Sequence, residues 1–224
     1  MRRRDRQFHV NEVRRGRDTY RVIHPARPIA HGAMYEAGWG VEMYVNKAAT
    51  VDFALAWWLA ARSPHSLVYL PLRSSACDPE VRYLGRRLDL VFLHHTLKFP
   101  TAQWKDVRAR LTPTGLQKVE LPATPFRTVE RAEHERSWRR GFKDHLRYDF
   151  AADTLFVVGS RQGYELGSKT FVDLVEQGPA ELATAPDAHV CGELDLGVCS
   201  GSGPIWKRRD APLRLHVVAC NDHW

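Results

Sequence analysis

Gly159-Ser160-Arg161-Gln162-Gly163-Tyr164-Glu165-Leu166-Gly167-Ser168-Lys169-Thr170 is a stretch of the kind that cradles phosphate. Glycines between a strand and a helix let backbone N–H groups approach an anion, and a helix N-terminus adds positive potential. Gly159, Arg161, Gly163 and Lys169 are the expected contacts. Arginine outnumbers lysine twenty-six to seven, and the planar guanidinium fork suits phosphate better than a point charge does. Residues 1–21 hold eight arginines against Asp5, Glu12 and Asp18, and the net charge is +7. Such an end binds a nucleotide or nucleic acid by releasing counterions. His189, Cys191, Cys199, His216, Cys220 and His223 crowd the last 36 residues. Their spacings match no familiar zinc framework and no C-x-x-C pair occurs, so no metal ligand is assigned. The cysteines, Cys77 included, read as free thiols in a reducing compartment.

The elements that must position these groups follow from periodicity. Thr19–Ile23 is a short strand closed by Pro25 and Pro28, and Val41–Val45 alternates as a second. Thr50–Arg62 has apolar residues at helical spacing and ends at Ser63-Pro64. Ser66–Leu72 is a buried strand, and Val81–Leu84 with Leu88–Leu93 forms a hairpin around Gly85-Arg86-Arg87. Thr101–Leu111 is a helix, Gln117–Leu121 a strand and Glu130–Leu146 a charged, solvated helix. Thr154–Val158 is a strand, Gly159–Gly167 a loop, Ser168–Gln177 a helix and Leu213–Cys220 a last strand. Gly192–Leu196 reads as part of an ordinary hairpin. The pattern predicts one α+β domain over 19–224, with a mixed or antiparallel central sheet and two to four helices. Residues 1–18 are expected to form a basic arm, with an edge strand over 1–19 as the alternative, and a possible seam falls near 121–128. Trp39, Trp57, Trp58, Trp104 and Trp138 are core anchors or surfaces for base stacking and assembly.

Three resemblances attach to particular motifs. The glycine-rich stretch is somewhat similar to the phosphate loop of P-loop NTPases, from which it differs by the Gly163–Gly167 spacing and by Ser168 before Lys169-Thr170. Leu93-His94-His95-Thr96-Leu97-Lys98-Phe99 resembles one half of the two-histidine phosphoesterases, which cleave cyclic phosphates or phosphodiesters in RNA. That resemblance implies acid–base work at His94 and a phosphate-gripping hydroxyl at Thr96. The nearest second copies begin at His216 and His189, and both lack the hydroxyl residue. Tyr20-Arg21-Val22-Ile23-His24, then Gly38–Tyr44, then the helix with Ala54, Ala56 and Trp57, then Ser66–Leu72, come in an order similar to ADP-ribosyltransferases with a His–Tyr–Glu triad. This resemblance implies NAD as substrate, a grip on it by His24 or Arg21, stacking by Tyr44 and a transition-state carboxylate at Glu165 or Glu193. Asn46 and Lys47 depart from it, standing where a Ser or Thr usually follows the tyrosine.

The expected function is therefore a nucleotide-acting enzyme of ADP-ribosyltransferase-like type. An RNA phosphodiesterase is the second reading. The third is a non-enzymatic nucleic-acid-binding or assembly protein, such as a viral or phage structural component, with oligomerisation possible. No run of 18 apolar residues occurs and no apolar segment follows Met1-Arg2-Arg3-Arg4, so no membrane span or signal is expected and the location reads as cytoplasmic.

Overall fold

The computed structural model describes residues 5–38, 40–76, 85–137, 141–185, 188–197 and 213–220. In chain order the strands are β1 (Asp5–Arg15), β2 (Asp18–Pro25), β3 (Gly32–Ala37), β4 (Gly40–Val45), β5 (Ser66–Leu70) and β6 (Asp89–His94). They continue as β7 (Gly115–Glu120), β8 (Arg147–Ala151), β9 (Thr154–Gly159), β10 (Cys191–Leu196) and β11 (Leu213–Ala219). Seven of them form one sheet in the order β7-β1-β2-β5-β6-β9-β8, and four form a second in the order β10-β11-β4-β3. Both sheets are mixed: β2–β5, β6–β9 and β4–β11 are parallel and the other pairs antiparallel. The helices are α1 (Lys47–Arg62), α2 (Trp104–Ala109), α3 (Arg131–Ser137), α4 (Arg161–Leu166), α5 (Lys169–Glu176) and α6 (Gly178–Thr184). The last three run on almost without a break. The result is the α+β fold expected from the pattern.

One core joins the sheets, and α1 is its centre. Alanines at 48, 49, 54, 56, 60 and 61 favour a helix, and the Asn46 side chain accepts from the Ala49 amide at 2.9 Å to cap it. The helix packs against β4 of the smaller sheet and against β5 and β6 of the larger. Inward residues of both sheets, such as Met43 and Leu215 on one and Phe92 and Val157 on the other, close around Phe53 and Trp57. Trp57 is fully buried and its indole N–H donates to the Tyr164 carbonyl at 2.7 Å. A second apolar cluster, including Tyr69, Val91, Leu93, Trp104 and Phe156, covers the other face of the seven-stranded sheet. No helix among the described residues is long and apolar enough to cross a membrane.

Four expectations need correction. From Asp5 on, the segment expected as a basic arm or an edge strand is an inner strand: β1 pairs with β2 on one side and β7 on the other. Phe8, Asn11 and Val13 are buried, while Glu12 and Arg14 face solvent, so the charge rides on the outside of an ordinary strand. Of the charged helix expected over 130–146, Arg131–Ser137 is helical as α3 while the described residues 141–146 are not, and α3 buries no side chain that would hold a longer helix to the body. The loop expected over 159–167 is mostly α4, capped by Ser160, whose hydroxyl accepts from the Gly163 amide at 3.0 Å. Around 121–128, Leu121 and Phe126 pack on the shared core. Expectations that touch Val81–Leu84, Trp39, Trp138, Cys77, Cys199 and His223 fall outside the described residues.

Candidate functional site

Strand register assembles a row of polar side chains across one end of the seven-stranded sheet. Arg21 on β2 lies opposite Ser66 on β5, and His94 on β6 lies opposite Gly159 on β9. The antiparallel β5–β6 pair, with Leu67 opposite Leu93, brings Ser66 next to His94, and His65 comes close enough to act on the His94 ring. Side chains alternate along strands, so Arg21, Ser66, His94 and Gly159 share the face that α1 and α4 cover. The Arg21 guanidinium donates to Ser66 Oγ at 2.7 Å and to Gln117 Oε1 at 2.9 Å. With strands about 4.8 Å apart, Arg21 and His94 start roughly 10 Å from one another, which is phosphodiester scale.

His94 is the group there most suited to proton transfer. Its Nδ1 stands 2.8 Å from Thr96 Oγ1, and in the tautomer whose Nδ1–H donates to that oxygen the lone pair is on Nε2; the Thr96 amide nitrogen lies 3.4 Å from the same Nδ1. That leaves Nε2 without a hydrogen-bond partner among the described residues. It also sets the Thr96 hydroxyl oxygen against the ring, where it orients the imidazole. Burial lowers the His94 pKa, His95 and then His65 push the same way, and Asp144 opposes them. The His95 ring is 4.6 Å from the His94 ring, centroid to centroid. His94 is therefore neutral and base-competent at neutral pH, with two further imidazoles beside it.

Glu165 is 5% exposed and sits within a clamp of arginines. Arg127 Nε donates to Oε2 at 2.8 Å, Arg161 Nε donates to Oε1 at 2.8 Å, and Arg62 lies 3.8 Å from Oε1. Burial pushes its pKa up, but the hydrogen bonds from Arg161 and Arg127 outweigh that and hold the carboxyl below its ordinary range. Glu165 thus stays ionised and holds three cations together at the end of α1 and the start of α4. The space expected to cradle phosphate is filled by protein. A Cβ on Gly159 would stand 2.5 Å from a Leu146 methyl, and one on Gly163 would stand 3.0 Å from the Asp144 carbonyl oxygen. These glycines admit the 144–146 segment, and α4 is too short to offer a strong terminus. Lys169 is exposed and pairs with Asp173 along α5.

The remaining expected site residues lie elsewhere. His24 is on the far face of the large sheet, where its ring meets His9 at 5.4 Å and Tyr69 at 6.2 Å. Tyr44 and His216 are on the outer face of the small sheet, with the Tyr44 hydroxyl donating to Glu42 at 2.6 Å. His24, Tyr44 and Glu165 therefore occupy three separate places, and Glu193 lies on β10, paired with Arg214 at 3.2 Å. His216 does not face His94 across a groove; the imidazoles that do accompany it are His65 and His95. Sequence spacing gives no hint of His65, since only the β5–β6 pairing brings it there. Comparisons with protein-family models, with curated proteins and with solved structures find no match to this chain.

Proposed function

We propose that this protein cleaves a phosphodiester, in RNA or a cyclic nucleotide, with His94 as the general base. The observation that supports it is the row Arg21–Ser66–His94, which sets a guanidinium, a hydroxyl and a neutral imidazole side by side at a sheet end flanked by Arg62, Arg127 and Arg161. In RNA, His94 takes the proton of the 2′-hydroxyl, whose oxygen attacks phosphorus. The 5′-oxygen leaves with a proton from His95 or His65, and a 2′,3′-cyclic phosphate results. Arg21 balances the charge on the phosphoryl oxygens.

The test is cleavage of a dinucleotide and hydrolysis of 2′,3′-cyclic nucleotides by wild type and His94→Asn. A drop of about 10²–10⁴-fold is expected. The acid limb of the wild-type rate profile should lie below the ordinary histidine pKa, because the active form is the deprotonated ring. Equal activity of the two proteins overturns the reading.

A second reading, nucleic-acid binding without chemistry, has its own observation. A groove of about 670 Å³ is lined by Arg6, Arg27 and Lys118 together with Asp5, Gln7, Pro25, Pro28 and Asp52. Arg6 pairs with Asp52 at 2.5 Å and Lys118 with Asp5 at 2.5 Å, so much of this positive charge is already matched. It predicts binding that weakens steeply with salt and survives His94→Asn.

A further inference from the structure

The outer face of the four-stranded sheet carries a second constellation that shares no residue with the His94 row. Cys191 opens β10 and His189 stands two residues before it, close to Cys191 on the outer side of the sheet. Pairing of β10 with β11 puts Glu193 opposite His216 and Cys191 opposite Val218, which brings His216 up beside them. The nitrogens and sulfur of His189, Cys191 and His216 lie within 4.8 Å of one another. Spacing along the chain shows no such set; the strand pairing creates it.

The geometry points to a zinc site formed by His189, Cys191 and His216, with Glu42 orienting His216 from behind. His189 Nε2 and His216 Nε2 face one another at 3.3 Å. Two imidazole nitrogens bound to one tetrahedral zinc stand about 3.3 Å apart, given bond lengths of about 2.05 Å. A thiolate on the same ion would stand about 3.6 Å from each nitrogen, so Cys191 Sγ has to close by roughly 1 Å, within reach of a side-chain rotation.

The carboxylate behind the ligands fits the same assignment. His216 Nδ1 faces Glu42 Oε1 at 3.5 Å, and the Tyr44 hydroxyl holds Glu42 Oε2 at 2.6 Å. Glu42 is 7% exposed, on the strand next to β11. A proton on Nδ1 directed at a buried carboxylate leaves the Nε2 lone pair for a metal, which is how carboxylates commonly orient a histidine ligand. Two imidazoles and a thiolate suit a borderline-soft divalent ion, and among the described residues they supply three of the four positions of a tetrahedral site. A blue-copper centre shares this two-histidine, one-cysteine set and commonly adds a long axial methionine. Met34 and Met43 both point into the core instead.

The test loads the purified full chain with Zn²⁺ and with Co²⁺ as a spectroscopic stand-in. One equivalent should bind. The cobalt form should show tetrahedral d–d bands and a thiolate-to-cobalt charge-transfer band, and Cys191→Ser should abolish the latter while Cys220→Ser leaves it. His189→Ala and His216→Ala should each weaken zinc binding at least 100-fold, and Glu42→Gln about 10-fold with the cobalt spectrum kept in shape. Far-UV circular dichroism of each variant separates lost ligation from lost folding. His94→Asn should bind zinc as wild type does, so failure of either proposal leaves the other standing. No stoichiometric zinc, a cobalt spectrum unchanged by Cys191→Ser, or tight binding only of Cu²⁺ overturns the assignment. In the first case the His189–His216 contact is an ordinary hydrogen bond.

Discussion

The two ends of the β6–β9 pair hold similar kinds of polar residue in opposite circumstances. At the amino end Asp89 is 1% exposed, and its carboxylate accepts from the Tyr69 hydroxyl at 3.0 Å, the Arg73 amide at 3.0 Å, Arg73 Nε at 2.9 Å and Arg108 Nη1 at 3.1 Å. Burial and Asp89 together push the Tyr69 phenol far above its ordinary pKa, so its proton stays in place. Every strong acceptor site there is occupied. Five residues on, at the carboxyl end, His94 is half-buried and offers Nε2 outward with Thr96 fixing Nδ1. The difference teaches how to tell a charged joint from a reactive group in one strand. Saturated partners fix position, whereas an oriented ring with an open nitrogen is what the proposed chemistry at His94 requires.

Asp89→Ala is the largest test of that contrast. It leaves Arg73, Arg108 and Tyr69 facing a cavity, and should cost about 3 kcal/mol in urea unfolding, the low end for breaking a buried pair because Arg73 reaches water. His94→Asn should stay within about 0.5 kcal/mol of wild type while losing activity. Similar stability costs for the two would break the comparison. Tyr164→Phe probes what holds the carboxyl end in place. The Tyr164 hydroxyl accepts from the Leu93 amide at 3.0 Å and lies 2.7 Å from the Val157 carbonyl oxygen, wedged between the parallel strands. Its loss leaves a buried amide unsatisfied and should cost about 1–2 kcal/mol. If His94 depends on that anchor, activity falls with stability, and a mutant that is stable but inactive sharpens the link.

Legibility in the sequence followed the range of the forces involved. The central helix was readable because alanine content, the apolar stripe and the Ser63-Pro64 stop all act within a few residues. Glu165 and Arg161 are four apart on α4 and could have been paired from spacing alone. The rest of that clamp, Arg62 and Arg127, comes from distant segments and has no local signal. β1 was hidden because arginines on its exposed side outweighed Phe8 and Val13 on its buried sides. His94 and Thr96 stood out by their spacing, although β6 ends at His94 and Thr96 lies in the turn that follows. Their companions His65 and Ser66 came through sheet register, which a single sequence does not encode locally. The expected meeting of His24 with Tyr44 failed for the same reason: two neighbouring segments joined different sheets.

The smallest effect concerns the histidine at the saturated end. His24 sits beside Tyr69; burial lowers its pKa and His9 adds to that, while its hydrogen bond to the Pro25 carbonyl oxygen opposes them. A histidine with a folded pKa below 6.5 stays neutral in the native chain while the unfolded chain takes up a proton. Between 6.5 and that lower value the unfolded state therefore binds more protons, so stability falls as pH falls and levels off below the folded pKa. His24→Gln should flatten this slope between about pH 7 and pH 5, measured as urea midpoints. His94→Asn should flatten it less, because its ring is more exposed and Asp144 offsets part of the shift. A larger change from His94 would place the more strongly desolvated imidazole at the reactive end and reverse the assignment of which end is sealed.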